Sequence, residues 1–206
     1  PVRPDWVEPS DLLGYVSRLT AHNQPEYVVT QVLSFIVAAW RHIIDSGLAL
    51  RIDPYTAGRQ LSVQGRRAEL AYVAPFWLCL DEMNLAPVEQ YFADYLSLSE
   101  TQQWQWSGEE FSYRSDALLK SGAVFNDDLR AQLGLLGARY DELWQSFCAV
   151  GIPIPFNLIV TGTVNMDEST HGFSRKVLDR ALSIDFGTFF PNDFERFFDD
   201  ELTVVS

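Results

Sequence analysis

The clearest strand pattern in the chain is the apolar run Phe76–Leu80, which follows Pro75 and is followed at once by Asp81 and Glu82. A short apolar run bounded in this way predicts a buried strand, and burial on both faces is typical of a parallel sheet covered by helices. Ligands of open α/β sheets bind at the carboxyl ends of the strands. The two acids therefore either hold a magnesium ion and polarise a water, or simply begin a solvated loop.

Further segments are predicted as strands of the same sheet. They are Asn157–Val164, Ser183–Phe186 and a short strand near Val2. Asn165 follows the first of them, at the kind of position that Asp81 and Glu82 occupy. We therefore expect an α/β three-layer sandwich with a mostly parallel sheet, in which Asp81 and Asn165 lie close together at one sheet edge.

Helical periodicity or helix-end signals mark other segments. They are Pro25–Asp45, Val88–Ser99, Asn126–Val150, Arg175–Leu182 and Pro191–Glu201. The first carries an apolar stripe from Val28 to Ile43 and is stopped by Gly47, so we expect it to cover one face of the sheet. In the third, Asn126 is suited to cap the start and Gly151 to end the helix.

Two stretches, near residues 48–74 and 101–151, are expected to be insertions into the domain. Residues Leu48–Ala71 are predicted to be exposed, with short strands. The second stretch contains an aromatic alternation around Ser107-Gly108 that predicts a β-hairpin. Its members are Trp104, Trp106, Phe111 and Tyr113. This ladder is either the packed face of the hairpin or a base-stacking platform, and the acidic neighbours favour the packed face.

Composition narrows the function classes. The 206 residues are enough for one sizeable domain, and 47% of them are hydrophobic. The formal net charge of −13 repels a phosphate backbone, so we expect any DNA contact to run through other domains or subunits. No apolar run could span a membrane, and Cys79 and Cys148 are predicted to be buried thiols of a cytoplasmic protein. The histidines (His22, His42 and His171) are scattered without metal-ligand spacing.

Three blocks of sequence carry a family resemblance. They are Val2–Tyr15, Phe76–Glu100 with Leu80-Asp-Glu-Met-Asn-Leu-Ala86, and Pro155–Phe186 with Gly162-Thr-Val-Asn165 and Leu178-Asp-Arg-Ala181. In this order they resemble the AAA+ nucleotide hydrolases of the 5-methylcytosine restriction (McrB-type) group, which is related to the MoxR-type ATPases. The second block is similar to the Walker B strand and its helix, and the third to the sensor-1 strand and the arginine-finger helix.

The resemblance implies a role for each site residue. Asp81 would bind Mg²⁺ through water, and Glu82 would be the base that activates the attacking water. Asn165 would be the sensor-1 residue that positions this water near the γ-phosphate. Arg180 would be an arginine finger that points outward and reaches across a subunit boundary.

Three nearby side chains have weaker implied roles. Arg175 and Lys176 are further candidates for the subunit boundary. Glu89, on the helix after the Walker B strand, is expected to face solvent or a neighbouring subunit.

Departures from the family pattern limit these implications. The chain contains no G-x-x-x-x-G-K-[ST] motif, so the loop that cradles the phosphates is absent, and few residues follow the third strand to form a helical lid. We therefore expect a partial AAA+ core over residues 1–206, a fragment that is inactive by itself. Asn165-Met-Asp-Glu168 also differs from the Asn-Thr-Ala-Asp signature associated with GTP preference, so the nucleotide is either ATP or GTP.

Three functions are compatible with these observations. The first is a motor subunit of a McrB-type restriction or defence complex, with Mg²⁺ and ATP or GTP as cofactors, a homo-oligomeric, hexamer-like ring, a nuclease subunit as partner and no membrane association. The second is a non-hydrolysing AAA+-like scaffold, against which the intact Asp-Glu pair argues. The third is an acidic binding domain unrelated to nucleotides, which would require all three block similarities to be accidental.

Overall fold

The structure, a computed structural model, describes residues 2–3, 5–17, 26–55, 58–122, 124–165 and 172–184. These residues form a mixed α/β fold whose strands lie in four sheets, three of them antiparallel. The α/β class is as predicted. The expected mostly parallel sheet is not seen, because the stretches predicted as insertions form antiparallel hairpins that outnumber the parallel strands.

The elements follow in chain order. The helices are α1 (Pro9–Leu13), α2 (Gln31–Asp45), α3 (Val88–Tyr91), α4 (Ala93–Ser99), α5 (Asp127–Gln132), α6 (Asp141–Val150) and α7 (Arg175–Leu178). The strands are β1 (Gly14–Ser17), β2 (Glu26–Val29), β3 (Ala49–Tyr55), β4 (Gly58–Arg66), β5 (Phe76–Leu80), β6 (Gln103–Ser107), β7 (Glu110–Arg114), β8 (Ala117–Leu119), β9 (Ile152–Pro153) and β10 (Leu158–Gly162). Tight 3₁₀ turns lie at Arg67–Tyr72, Met83–Leu85 and Ala138–Tyr140.

The apolar run does form a strand. β5 pairs in parallel with β10, in a register that runs from Phe76 opposite Leu158 to Leu80 opposite Gly162. One face of the pair packs against α2, where the Phe35 and Phe76 rings lie 5.4 Å apart. The prediction of burial on both faces was wrong, because alternate side chains point the other way and Trp77 is 60% exposed. The described part of the chain covers one face of this pair and leaves the second open.

Helix α2 is the central buried element, but it begins later than predicted. Thr30 caps it by accepting a hydrogen bond from the backbone N–H of Leu33, and the preceding residues form β2 with β1. Val28 therefore lies in a strand and not in the apolar stripe of the helix, whereas Ile43 is fully buried. Gly47, at φ +84°, follows the end of the helix as expected.

The two predicted insertions share one sheet of order β3-β4-β7-β6. The hairpin Gln103–Arg114 is confirmed, with its turn between Ser107 and Glu110. The stretch predicted to be exposed is instead packed, since Leu61 and Val63 of β4 are buried. The four aromatic side chains of this hairpin differ in exposure. Phe111 and Tyr113 are buried, while Trp104 and Trp106 are 41% and 51% exposed.

Two of the predicted helices are interrupted. The segment Val88–Ser99 breaks at Phe92 into α3 and α4. In the segment Asn126–Val150, Gly134 and Gly137 adopt φ of +68° and +96°, which a right-handed helix cannot include, and α5 and α6 form on either side. The predicted caps hold: the Asn126 side chain accepts from Leu129 N, and Gly151 ends α6 at φ +90°.

Several remaining expectations differ from the structure. Val2 is not in a strand, although its N–H donates to the carbonyl of Asp81 at 3.0 Å. Cys79 and Cys148 are exposed, so the prediction of buried thiols was wrong. Ser183 and Ile184 are not in a strand, and the rest of the predicted strand Ser183–Phe186 lies outside the described residues, as does the predicted helix Pro191–Glu201.

Within the described ranges, no helix is long and apolar enough to cross a membrane.

Asn157 anchors the start of β10. Its side chain is buried, and its amide Nδ2 donates to the carbonyls of Ala39 in α2 and Ala74 just before β5, at 3.2 and 3.1 Å. One side chain thus connects both strands of the parallel pair to the helix beneath them.

We expect Asn157→Ala to lower the free energy of unfolding by about 2 kcal/mol, because the carbonyls of Ala39 and Ala74 lose their buried hydrogen-bond donor. Chemical denaturation followed by circular dichroism measures this loss. The matched control is Thr161→Ala in the same strand, which is exposed and should change stability by no more than about 0.5 kcal/mol. Equal effects from both variants would contradict the anchoring role.

Candidate functional site

The candidate site lies where β5 and β10 end side by side. Beyond the strands, Thr163 N donates to the carbonyl of Leu80 at 3.1 Å, and Met83 N donates to the carbonyl of Thr163 at 2.9 Å. The parallel pairing therefore continues into the loops that carry Asp81 and Asn165. These two residues lie at the same end of adjacent strands, as the sequence predicted.

Thr163, which directly follows β10, forms hydrogen bonds with both acids that follow β5. Its hydroxyl donates to Asp81 Oδ1 at 2.7 Å and accepts a hydrogen bond from the backbone N–H of Glu82 at 2.8 Å. Both acids are exposed at this edge. A single hydroxyl thus fixes the carboxylate of Asp81 and the backbone that carries the carboxylate of Glu82.

Glu82 has an unusual backbone conformation. Its φ and ψ are 52° and 48°, and among the described residues it is the one non-glycine with positive φ. A left-handed glutamate costs roughly 1 kcal/mol or more and persists only where its surroundings impose it. Here the bond from Thr163 and the 3₁₀ turn Met83–Leu85 impose it. Strain of this kind clusters at functional positions, which supports Glu82 as a site residue.

The Asn84 side chain links the loop after β5 to the loop after β10. It is fully buried; its Nδ2 donates to the carbonyl of Asn165 at 2.7 Å, and its Oδ1 accepts from Asn165 N at 3.3 Å. Tyr91 adds a further support, since its hydroxyl donates to the carbonyl of Met83 at 3.0 Å. Burial, and secondarily the charge of Glu89, raises the pKa of Tyr91, which keeps this hydroxyl protonated as a donor. The backbone of Asn165 is therefore held in place, while the residue itself is exposed.

Arg180 does not point outward, so that expectation was wrong. Its Nη2 forms an ion pair with Glu100 Oε1 at 2.5 Å, and its Nη1 donates to the carbonyl of Lys176 at 2.7 Å. The side chain is 21% exposed. The arginine is thus held by its own chain, whereas Arg175 and Lys176 on α7 are exposed.

Glu89, which was expected to face solvent or a neighbouring subunit, is half-buried and makes a contact within its own chain. Its Oε1 accepts a hydrogen bond from the backbone N–H of Ser174 at 2.7 Å, just before α7 begins. Helix α3 in this way holds the start of the segment that carries Arg180.

The acids at this edge do not form a closed metal cage. Among the described residues, no group of three or more His, Cys, Asp or Glu side chains could hold a metal ion. Mg²⁺ is typically bound by one or two carboxylates together with waters and substrate phosphates, so an exposed Asp81 with hard oxygen donors fits magnesium in the presence of a nucleotide. The residues are therefore compatible with the cation that the sequence implied.

Two residues of this site were missed as functional residues in the sequence. Thr163 and Asn84 both lie inside the blocks that carry the family resemblance, two positions from Asn165 and from Glu82 respectively. Their position just after apolar strands was a usable signal. Their hydrogen-bond partners depend on the register between β5 and β10, which cannot be read from the sequence alone.

The comparisons with known proteins find no relative of this chain. No family model matches the chain, and no curated protein and no solved structure matches it significantly.

We expect Thr163→Val to accelerate hydrogen exchange of the Glu82 amide by roughly five- to tenfold, because that N–H loses its acceptor while the shape of the side chain is kept. Exchange measured residue by residue by NMR checks this. Thr161→Val is the matched control, since it makes the same change two residues earlier on an exposed position of β10. Unchanged exchange at Glu82 would contradict the assigned role of the hydroxyl.

Proposed function

We propose that this chain supplies the magnesium-binding and water-activating side of a nucleoside-triphosphate hydrolase that acts on ATP or GTP. The proposal rests on one observation above all: Thr163 holds Asp81 and Glu82 at the carboxyl end of a parallel strand pair, beside Asn165. Two acids and an amide at such an edge suit phosphoryl transfer, which requires positioning and charge neutralisation more than covalent chemistry.

Each residue has a distinct task in this proposal. Glu82, placed outward by its left-handed backbone, accepts a proton from the attacking water. Asn165 orients that water, and Asp81 holds Mg²⁺ through water. When bound, the cation neutralises negative charge on the phosphate oxygens. Arg180 neutralises charge that develops in the transition state, in the site of a neighbouring subunit.

The proposed complete core is larger than the described fold. Among the described strands β10 pairs with β5 alone, so one edge of β10 is open to a further parallel strand, and the face that carries Trp77 is open to further helices. Because parallel strands are normally covered on both faces, these open surfaces support a three-layer AAA+ core completed by other segments. In the proposed assembly, the chain belongs to a homo-oligomeric, cytoplasmic McrB-type motor with a nuclease partner.

A non-hydrolysing scaffold is the alternative. The 206 residues contain no G-x-x-x-x-G-K-[ST] motif, and a natural absence of this phosphate cradle from the whole protein would favour the scaffold. The pairing of Arg180 with Glu100 within one chain favours it as well.

The test of hydrolysis uses the protein expressed with all residues that its gene encodes. We expect magnesium-dependent turnover of ATP or GTP that Glu82→Gln reduces by roughly a hundredfold or more while nucleotide binding persists, because the general base is lost. Release of phosphate and nucleotide binding are measured in parallel. Glu109→Gln, an exposed acid in the β6–β7 turn, is the control and should keep full turnover. A folded protein that hydrolyses neither nucleotide would contradict the proposed hydrolase and favour the scaffold.

A second prediction separates the two possible roles of Arg180. As a finger, Arg180→Ala should reduce turnover by roughly a thousandfold, whereas Glu100→Gln, which frees the arginine, should preserve it. As a structural ion pair, both variants should have the same small effect on turnover and on the free energy of unfolding. Steady-state kinetics and denaturation of both variants distinguish the outcomes.

A further inference from the structure

Strand β6 forms an exposed and uncharged edge of the four-stranded sheet. It pairs with β7 on one side, and all five of its residues, Gln103–Ser107, are exposed. Within the described residues, its backbone makes no other hydrogen bond to backbone. Every second residue of an edge strand turns its N–H and C=O away from the neighbouring strand, so β6 offers free donors and acceptors to an incoming strand.

The opposite edge of the same sheet is protected in the usual way. β3 carries Arg51, Asp53 and Pro54, and charges and prolines prevent edge-to-edge pairing. β6 contains no charged residue and no proline. It is also longer than the shortest strands of this fold, so it is not protected by a short length either. The contrast within one sheet marks β6 as the edge that is available for pairing.

The aromatic side chains of β6 are also incompletely covered. Trp104 and Trp106 stack on each other, with ring centroids 5.9 Å apart and planes 8° from parallel. Trp104 also packs against Phe156, and Arg67 lies over the Trp106 ring. About half of each indole still contacts solvent. A strand added beside β6 would cover them, and cross-strand aromatic pairs stabilise sheets.

We propose that β6 pairs antiparallel with β6 of a second copy of this chain, about a two-fold axis at Gln105. The sequence Gln-Trp-Gln-Trp-Ser is nearly palindromic around this residue. Antiparallel pairing places Gln105 opposite its own equivalent and each Trp104 opposite a Trp106, and it brings no like charges together. Self-association through most other surfaces of a chain with a net charge of −13 would meet repulsion.

The charged residues of the neighbouring strand β7 are compatible with this antiparallel arrangement. On β7, Arg114 lies opposite Gln103 and Glu110 lies opposite Ser107. The two-fold axis brings the Gln103 end of one strand to the Ser107 end of the other. Arg114 of one copy and Glu110 of its partner therefore occupy the same cross-strand row, roughly 14 Å apart with both β6 strands between them. The row thus carries opposite charges and no pair of like charges. The proposal is independent of the nucleotide site.

The experiment measures mass by light scattering and sedimentation over a range of protein concentrations. The unaltered chain should form a dimer as concentration rises. Gln105→Lys and Gln105→Glu should each weaken dimerisation by about fivefold or more, because the axis sets two like charges opposite each other. An equimolar mixture of the two variants should restore the dimer, since Lys then faces Glu.

The matched control is Gln64→Lys, which adds the same charge in the same cross-strand row but on the interior strand β4. It should dimerise like the unaltered chain, and circular dichroism should show all variants to be folded. A chain that stays monomeric at every concentration would overturn the proposal and leave the edge to a different protein. Failure of the mixed variants to dimerise would overturn the two-fold axis at Gln105.

Discussion

The candidate site depends on the parallel register that places Phe76–Leu80 beside Leu158–Gly162. No tight turn can join parallel neighbours, so this register is set by contacts outside the pair. A slip of one residue would turn every side chain of the strand to the other face and would separate Thr163 from Asp81. The geometry of the acids is therefore a property of the surrounding fold and not of the Asp-Glu sequence alone.

The contacts that place the segment leading into β10 come from α2 and from the second of the stretches predicted as insertions. The indole N–H of Trp40 in α2 donates to the carbonyl of Pro153 at 2.8 Å. The Tyr113 hydroxyl donates to the carbonyl of Ile154 at 2.9 Å, and Ser115 Oγ accepts from Ile154 N at 3.0 Å. Tyr113 lies in the hairpin, and Ser115 follows it directly. The antiparallel sheet thus supports the strand that carries the site.

The sequence predicted what local physics decides. Asn126 and Gly151 act at helix ends through their own side chain or backbone, and both were predicted correctly. Whether a face of a strand is covered depends on elements that are distant in the sequence. Trp77 and Cys79 therefore lie in an apolar run and are still exposed. The role of Thr163 was missed for a similar reason. The hydrogen-bond partners of its hydroxyl can be assigned only when the register between β5 and β10 is known.

The proposed finger role of Arg180 requires that the arginine leave Glu100. The carboxylate of this pair is 61% exposed, and exposed ion pairs contribute at most about 1 kcal/mol. A phosphoryl group in transfer carries more negative charge than one carboxylate and offers several acceptor oxygens, so it binds a guanidinium more strongly. Exchange of Glu100 for phosphate is then favourable wherever a neighbouring subunit brings a nucleotide within reach of α7. Under this proposal the internal ion pair is the resting position of the arginine, and hydrolysis becomes dependent on assembly.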